Sequence, residues 1–216
     1  MRILLSILLA AAATAASGAS NLLPNGSFDD KDNPLANWKY KYDKEGESFY
    51  FKNHEHVKVE PSIAGRSGVL ALWADRNITF DTGQGTKVDS FPVPVKPGGR
   101  FRLTLTARST GPGIRTLVEG YQWRPGVKPH ANPDISELRK CFKSEVVTFG
   151  SQVGGSRSSV GKGWETADIV FPAENPTALA VDKLSKMEFL IVHIVAIDGG
   201  EGTVYVDDVK LEQISK

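Results

Sequence analysis

The 216-residue chain carries 26 basic and 25 acidic residues, for a formal net charge of +1. That balance argues against nucleic-acid binding, which draws on a net basic face. A hydrophobic content of 40% supports an ordinary globular core, and the length suits one sizeable domain rather than two.

The N-terminus differs from the rest. Arg2 gives a short positive start, residues 3–13 are apolar, and small residues follow to Ser20, with Ser17 and Ala19 at the small positions of a cleavage site. The pattern predicts a secretory signal peptide over 1–19, export to an extracellular or periplasmic space, and a folded domain over 20–216. The apolar run is too short to cross a bilayer, and no other stretch has the length for it. Without Arg2 the chain is neutral, with 25 basic against 25 acidic residues. Cys141 is the single cysteine, so it forms no intramolecular disulfide and is expected as a small hydrophobe.

An edge strand is expected over 21–29, followed by a turn at Asp30-Lys31-Asp32-Asn33-Pro34. Trp38 reads as core. The aromatic run Tyr40, Tyr42, Phe49, Tyr50 and Phe51, split by the charged stretch 43–47, predicts two strands around a turn. His54-Glu55-His56 lacks a third ligand for a metal and reads as a solvated loop before an alternating strand at 57–60. An apolar strand follows over 69–73. Phe101, Leu103, Leu105 and Ala107 then alternate with Arg102, Thr104, Thr106 and Arg108, as in a strand with one apolar and one polar face.

The next strand, 114–123, places Arg115, Leu117, Glu119, Tyr121 and Trp123 on one side. Pro125, Pro129 and Pro133 disfavour strand pairing, and Asp134 reads as the cap of a short helix carrying Ile135, Leu138 and Phe142. A strand at 146–149 leads into a Gly- and Ser-rich loop. Trp164 opens a further strand and reads as core. Residues 189–197 are apolar on both faces, as in a central strand, with His193 the exception.

The closing strand, 202–212, poses a question. If Val209 and Leu211 face the core, alternation turns Tyr205 and Asp207 inward as well. A buried carboxylate costs several kcal/mol unless it is paired or metal-bound. Either the strand bulges there, or Asp207 holds something. The whole pattern predicts an all-β antiparallel sandwich or jelly roll, with one short helix in a long loop.

The two ends carry a resemblance. Asn25-Gly26-Ser27-Phe28-Asp29 and Tyr205-Val206-Asp207-Asp208-Val209-Lys210-Leu211 resemble the opening and closing strands of the carbohydrate-binding-module superfamily with a galactose-binding-like β-sandwich. Val95-Lys96-Pro97-Gly98 before Phe101 matches its centre. The resemblance implies a polysaccharide or oligosaccharide ligand, and a partner enzyme or cell-surface protein, since such modules are commonly joined to a catalytic domain. It also implies a structural calcium held by Ser27, Asp29, Asp207 and Asp208. Calcium suits a site of carboxylates and backbone carbonyls. Asp29 stands where the family usually has Glu, with shorter reach.

Arg115, Glu119, Tyr121 and Trp123 supply the aromatic and planar polar groups that sugar recognition needs. Packing of Tyr121 and Trp123 beneath the 124–162 loop is the competing expectation. No Gly-x-Ser-x-Gly elbow, His-Glu-x-x-His or phosphate loop is present. Enzyme alternatives are a glycoside hydrolase drawing on Glu119, Glu165 or Glu188, and a polysaccharide lyase with Arg115, Tyr121 and His193 as neutraliser and bases. A structural or adhesion subunit is the third reading.

Overall fold

The protein is described from a computed structural model over residues 20–40, 53–78, 85–145, 162–197 and 200–215. The signal segment, most of the aromatic run (Tyr42, Phe49, Tyr50 and Phe51), the 146–149 strand and most of the Gly/Ser-rich loop lie outside the described residues.

Two antiparallel sheets face each other. The first contains β1 (Trp38–Tyr40), β4 (Thr86–Ser90), β10 (Phe189–Ile197), β7 (Gly113–Trp123) and β8 (Leu138–Glu145) in that order, with β5 (Val93–Pro94) also paired to β10. The second runs β2 (Val57–Ile63), β3 (Arg66–Ala74), β11 (Gly202–Ser215), β6 (Arg100–Ser109) and β9 (Glu165–Phe171). The expected all-β antiparallel sandwich is therefore the fold.

Alternation explains the core. Phe101, Leu103, Leu105 and Ala107 of β6 point inward and are fully buried, opposite Leu190, Val192, Ile194 and Ala196 of β10. Trp38 is buried as expected. Its ring lies 5.3 Å from Phe28, and its indole N–H donates to the Asn25 carbonyl at 3.1 Å.

Four expectations are corrected. Residues 21–29 form turns rather than an edge strand, with Asn25 and Phe28 at positive φ. They are tied to the closing strand by Leu22 N–H to Leu211 O at 2.7 Å and Val209 N–H to Gly26 O at 2.8 Å. His56 ends a single helical turn, α1 (Asn53–His56), and packs its ring 5.1 Å from Trp73, so it is buried rather than solvated. The helix expected after Asp134 is one 3-10 turn, Ile135–Glu137, closed by a reciprocal Asp134–Glu137 capping box, and the chain then enters β8. Trp164 lies half-buried at the outer surface of the second sheet, with the Arg66 and Arg108 guanidinium groups 5.1 and 5.9 Å from its ring centre. An α-helix, α2 (Ala178–Ser185), capped by the Thr177 hydroxyl, was not anticipated.

The closing strand answers its question in both ways. The register of β11 on β6 slips between Asp207 and Lys210, and Asp208 sits at φ 53°. The bulge reverses the alternation. Val204 and Val206 before it, and Val209 and Leu211 after it, all reach the core, so Tyr205 and Asp207 face outward. Asp207 also has a partner, Arg66.

Candidate functional site

The outer face of the first sheet is built by register. Asp89, His193 and Leu117 form one cross-strand row through β4, β10 and β7. Lys87, Val195 and Arg115 form the row beside it. On the other flank Glu119 lies opposite Lys143, and Tyr121 opposite Lys140. Directly opposed residues of an antiparallel pair share a face, so all of these project to the same side.

Strict alternation along β8 would send Lys140 and Lys143 to opposite faces. A bulge prevents this. Gly120 pairs with Phe142 but Tyr121 pairs with Lys140, leaving Cys141 as the extra residue, its thiol 3.4 Å from the Gly120 carbonyl. Gly120 has a packing reason as well: a Cβ there would lie 2.4 Å from Met187 Sδ. The bulge therefore brings both lysines to the rim of one cleft.

That cleft has a volume of about 360 Å³, and its floor is a connected set of charged groups. Asp89 Oδ1 lies 2.6 Å from His193 Nδ1 and 3.2 Å from Lys87 Nζ. Glu119 Oε2 accepts the Tyr121 hydroxyl at 2.6 Å, and Oε1 accepts Lys140 Nζ at 3.1 Å. His193 Nε2 faces Glu119 Oε2 across 3.4 Å, an ion-pair distance without hydrogen-bond geometry. The His193 and Asp89 side chains are each only 3% exposed.

Burial alone would push His193 down, but the hydrogen bond to Asp89 and the nearby Glu119 carboxylate override it and raise its pKa. Burial would likewise raise both carboxyls. His193, with Lys87 at Asp89 and with Tyr121 and Lys140 at Glu119, holds them below the usual carboxylate range instead. Tyr121 is driven up by burial and by Glu119, so it stays a phenol and a donor. The floor thus sets an imidazole between two carboxylates, an arrangement that favours the charged form of all three groups. Replacing such buried ion sets by apolar residues is often neutral or stabilising, so their presence at a cleft is a pointer to function.

Of the four ligand-binding candidates, Arg115, Glu119 and Tyr121 line the cleft. Trp123 lies beside it, in a small apolar cluster with Tyr121, Leu138, Phe189 and Ile191. Its ring meets Phe189 edge-on at 5.3 Å and His130 at 5.2 Å, beneath the segment that follows β7. Lys87, Asp89, Lys140 and Lys143 were not singled out beforehand. The signal for the first two was present in Lys87-Val88-Asp89, polar residues flanking one apolar residue in a short strand.

The expected calcium ligands gather at another corner, where 26–29, β3 and the β11 bulge meet. Ser67 Oγ donates to Asp29 at 3.1 Å, and a Cβ on Gly68 would fall 2.4 Å from Asp29 Oδ1 and 2.8 Å from the Phe28 carbonyl. Ser27 lies half-buried alongside. One guanidinium nitrogen of Arg66, however, bridges Asp207 at 2.8 Å and Asp208 at 2.7 Å. Among the described residues no group of three or more His, Cys, Asp and Glu side chains is placed to hold a metal ion. As arranged, this donor set fits an internal guanidinium and not a calcium ion.

No known protein family and no curated protein matches the sequence. Carbohydrate-binding modules recur among the solved structures to which the chain is similar. The xylan-binding CBM22-1 domain of Paenibacillus barcinonensis Xyn10C is 12% identical, with a TM-score of 0.49, covering 94% of this chain and 99% of that one. A family 16 carbohydrate-binding module is 14% identical at a TM-score of 0.46, covering 89% of this chain and 100% of its own. A cyclase from Fischerella sp. TAU is 14% identical at a TM-score of 0.48, covering 89% and 96%. These likenesses assign neither ligand nor chemistry to the chain.

Proposed function

We propose that the protein binds a polysaccharide across the outer face of its first sheet, in the cleft over Asp89, His193 and Glu119. One observation carries this reading: a concave site whose pre-ordered polar groups are interleaved with the apolar side chains of Leu117, Val195 and Ile135. Saccharides present hydroxyl edges and flat apolar faces, which call for that mixture. Groups already locked by mutual hydrogen bonds lose little freedom when a ligand arrives. Export through residues 1–19 belongs to the same proposal. Among the described residues no helix is long and apolar enough to cross a membrane.

A glycan panel tests the reading on protein lacking 1–19. Binding to a polysaccharide that is lost in Glu119→Gln, with the fold intact, is the expected result. Unchanged binding in that variant overturns the location, and no binding to any glycan overturns the function.

A catalytic reading has one specific observation behind it, since Arg115 and Tyr121 of β7 and His193 of β10 line the same cleft. Release of shortened or unsaturated products from a bound polysaccharide, abolished in His193→Gln, would establish catalysis. Intact polymer after prolonged incubation leaves the protein as a binder.

A further inference from the structure

Among the described residues the cleft lining is not charge-neutral, although the chain nearly is. Its lining holds Lys87, Arg115, Lys140 and Lys143 against two carboxylates, Asp89 and Glu119, before any charge on His193 is counted. The placement matters more than the excess. Both carboxylates lie at the buried floor, and their oxygens accept from protein donors, Asp89 from His193 and Lys87, Glu119 from Tyr121 and Lys140. Little acceptor capacity faces outward.

Lys87 is buried with Asp89, while the other three cations lie towards the mouth. Lys140 is half-exposed, and its ammonium has three donors, one of which is committed to Glu119. Lys143 is exposed on the same rim, brought there by the Cys141 bulge. Arg115 approaches from the neighbouring row, half-buried. A cleft with low-dielectric walls focuses such a field, and guanidinium and ammonium groups make their strongest hydrogen bonds to anionic oxygens.

We infer that the saccharide taken by this cleft is anionic, carrying a carboxylate or sulfate that meets Arg115, Lys140 and Lys143 while the sugar ring lies over the Tyr121–Glu119 floor. This rests on the polysaccharide reading above and narrows it to acidic polymers. The net charge of +1 for the whole chain makes the effect local to the cleft rather than a general attraction to polyanions.

The test measures affinity for polygalacturonate, for carboxyl-reduced polygalacturonate, for dextran sulfate, and for neutral xylan and galactan. At least one acidic polymer is expected to bind about tenfold or more tightly than every neutral one, with affinity falling as salt rises from low to high ionic strength. Preference for polygalacturonate assigns a carboxylate, preference for dextran sulfate assigns a sulfate ester, and either supports the inference. Lys143→Gln and Arg115→Gln are each expected to weaken acidic binding several-fold without changing the melting temperature much. Equal binding of polygalacturonate and its reduced form with no preference for dextran sulfate, or neutral polymers bound as well as acidic ones, overturns the charge inference and leaves the polysaccharide reading standing. Acidic binding unaffected by both substitutions places the anion elsewhere and also overturns it. No binding to any polymer removes both.

Discussion

His193 Nδ1 lies 2.6 Å from Asp89 Oδ1, joining two adjacent strands of the first sheet through side chains that are each 3% exposed. The two residues are 104 positions apart in sequence and directly opposite in register. With Glu119 on the far side of the imidazole, the arrangement holds a charge in a place where an isolated charge would be expelled. It therefore couples the stability of the sandwich to pH.

The sign follows from the two kinds of group. His193 has a raised folded pKa, so its contribution is complete below its unfolded value, roughly 6.5, and is lost as pH rises through the folded value. Asp89 and Glu119 have lowered folded values. Their contribution is complete above the unfolded carboxylate range, roughly pH 4, and is lost as pH falls. The melting temperature should therefore peak between those limits and decline on the alkaline side as His193 loses its proton. In His193→Gln the amide keeps a donor for Asp89 but cannot titrate, so the alkaline decline should flatten. An alkaline slope identical in wild type and variant rules out His193 as its source.

Tyr121 and Glu119 make a second forecast. The phenol remains protonated, and its 2.6 Å hydrogen bond reaches a carboxylate. Hydrogen bonds to charged groups contribute roughly 1.5–3 kcal/mol. Tyr121→Phe removes the donor and keeps the ring, so chemical denaturation should show a loss within that range. A loss under about 0.5 kcal/mol, the ordinary scatter of surface substitutions, means that water satisfies Glu119 just as well.

Much of the sandwich was legible in the sequence because its strands alternate between two unlike environments. Phe101 to Ala107 in β6 is the clear case, and the shared face of Arg115, Glu119 and Tyr121 in β7 is another. The failures have local causes. Ile135, Leu138 and Phe142 sit at helical spacing, yet they belong to a 3-10 turn and a bulged strand. The Cys141 bulge sends Phe142 to the sandwich core and Leu138 to the outer cluster. Helix α2 was invisible because only Leu184 is buried in it, while Leu179 and Val181 face solvent, so no apolar stripe marks it. The Asp89–His193 pair was hidden for another reason: it exists only once β4 and β10 are neighbours.

Trp123 allows binding and packing to be told apart. Its edge-on contact with Phe189 and its contact with His130 make it part of the outer apolar cluster. Full truncation of a buried Trp costs about 3–5 kcal/mol, and a half-buried one should lose less, about 2 kcal/mol. Trp123→Ala is expected to lower the melting temperature, with glycan affinity measured well below that temperature reduced only modestly. Loss of binding in a variant that melts like wild type would make Trp123 a ligand platform instead.

Arg66 decides the calcium question. Its guanidinium bridges Asp207 and Asp208 and is further covered by the Trp164 ring at 5.1 Å. Hydrogen bonding to the two aspartates raises its pKa, so the cation is permanent. A calcium ion at the same acids would have to displace a charge that is covalently part of the fold. Wild-type protein should therefore melt at nearly the same temperature in excess calcium and in excess chelator. Arg66→Ala leaves Asp207 buried beside a like charge, a loss of roughly 1–3 kcal/mol. The same substitution opens the acids to a metal, and binding to the folded state alone then raises stability with calcium concentration. The expected signature is a destabilised variant whose melting temperature recovers as calcium is added and falls again with chelator. Adding Asp207→Ala should abolish that recovery. A wild-type protein that gains as much from calcium as the Arg66→Ala variant would show that the arginine yields the acids readily, and the corner would then be a metal site of the kind expected from Asp29, Asp207 and Asp208.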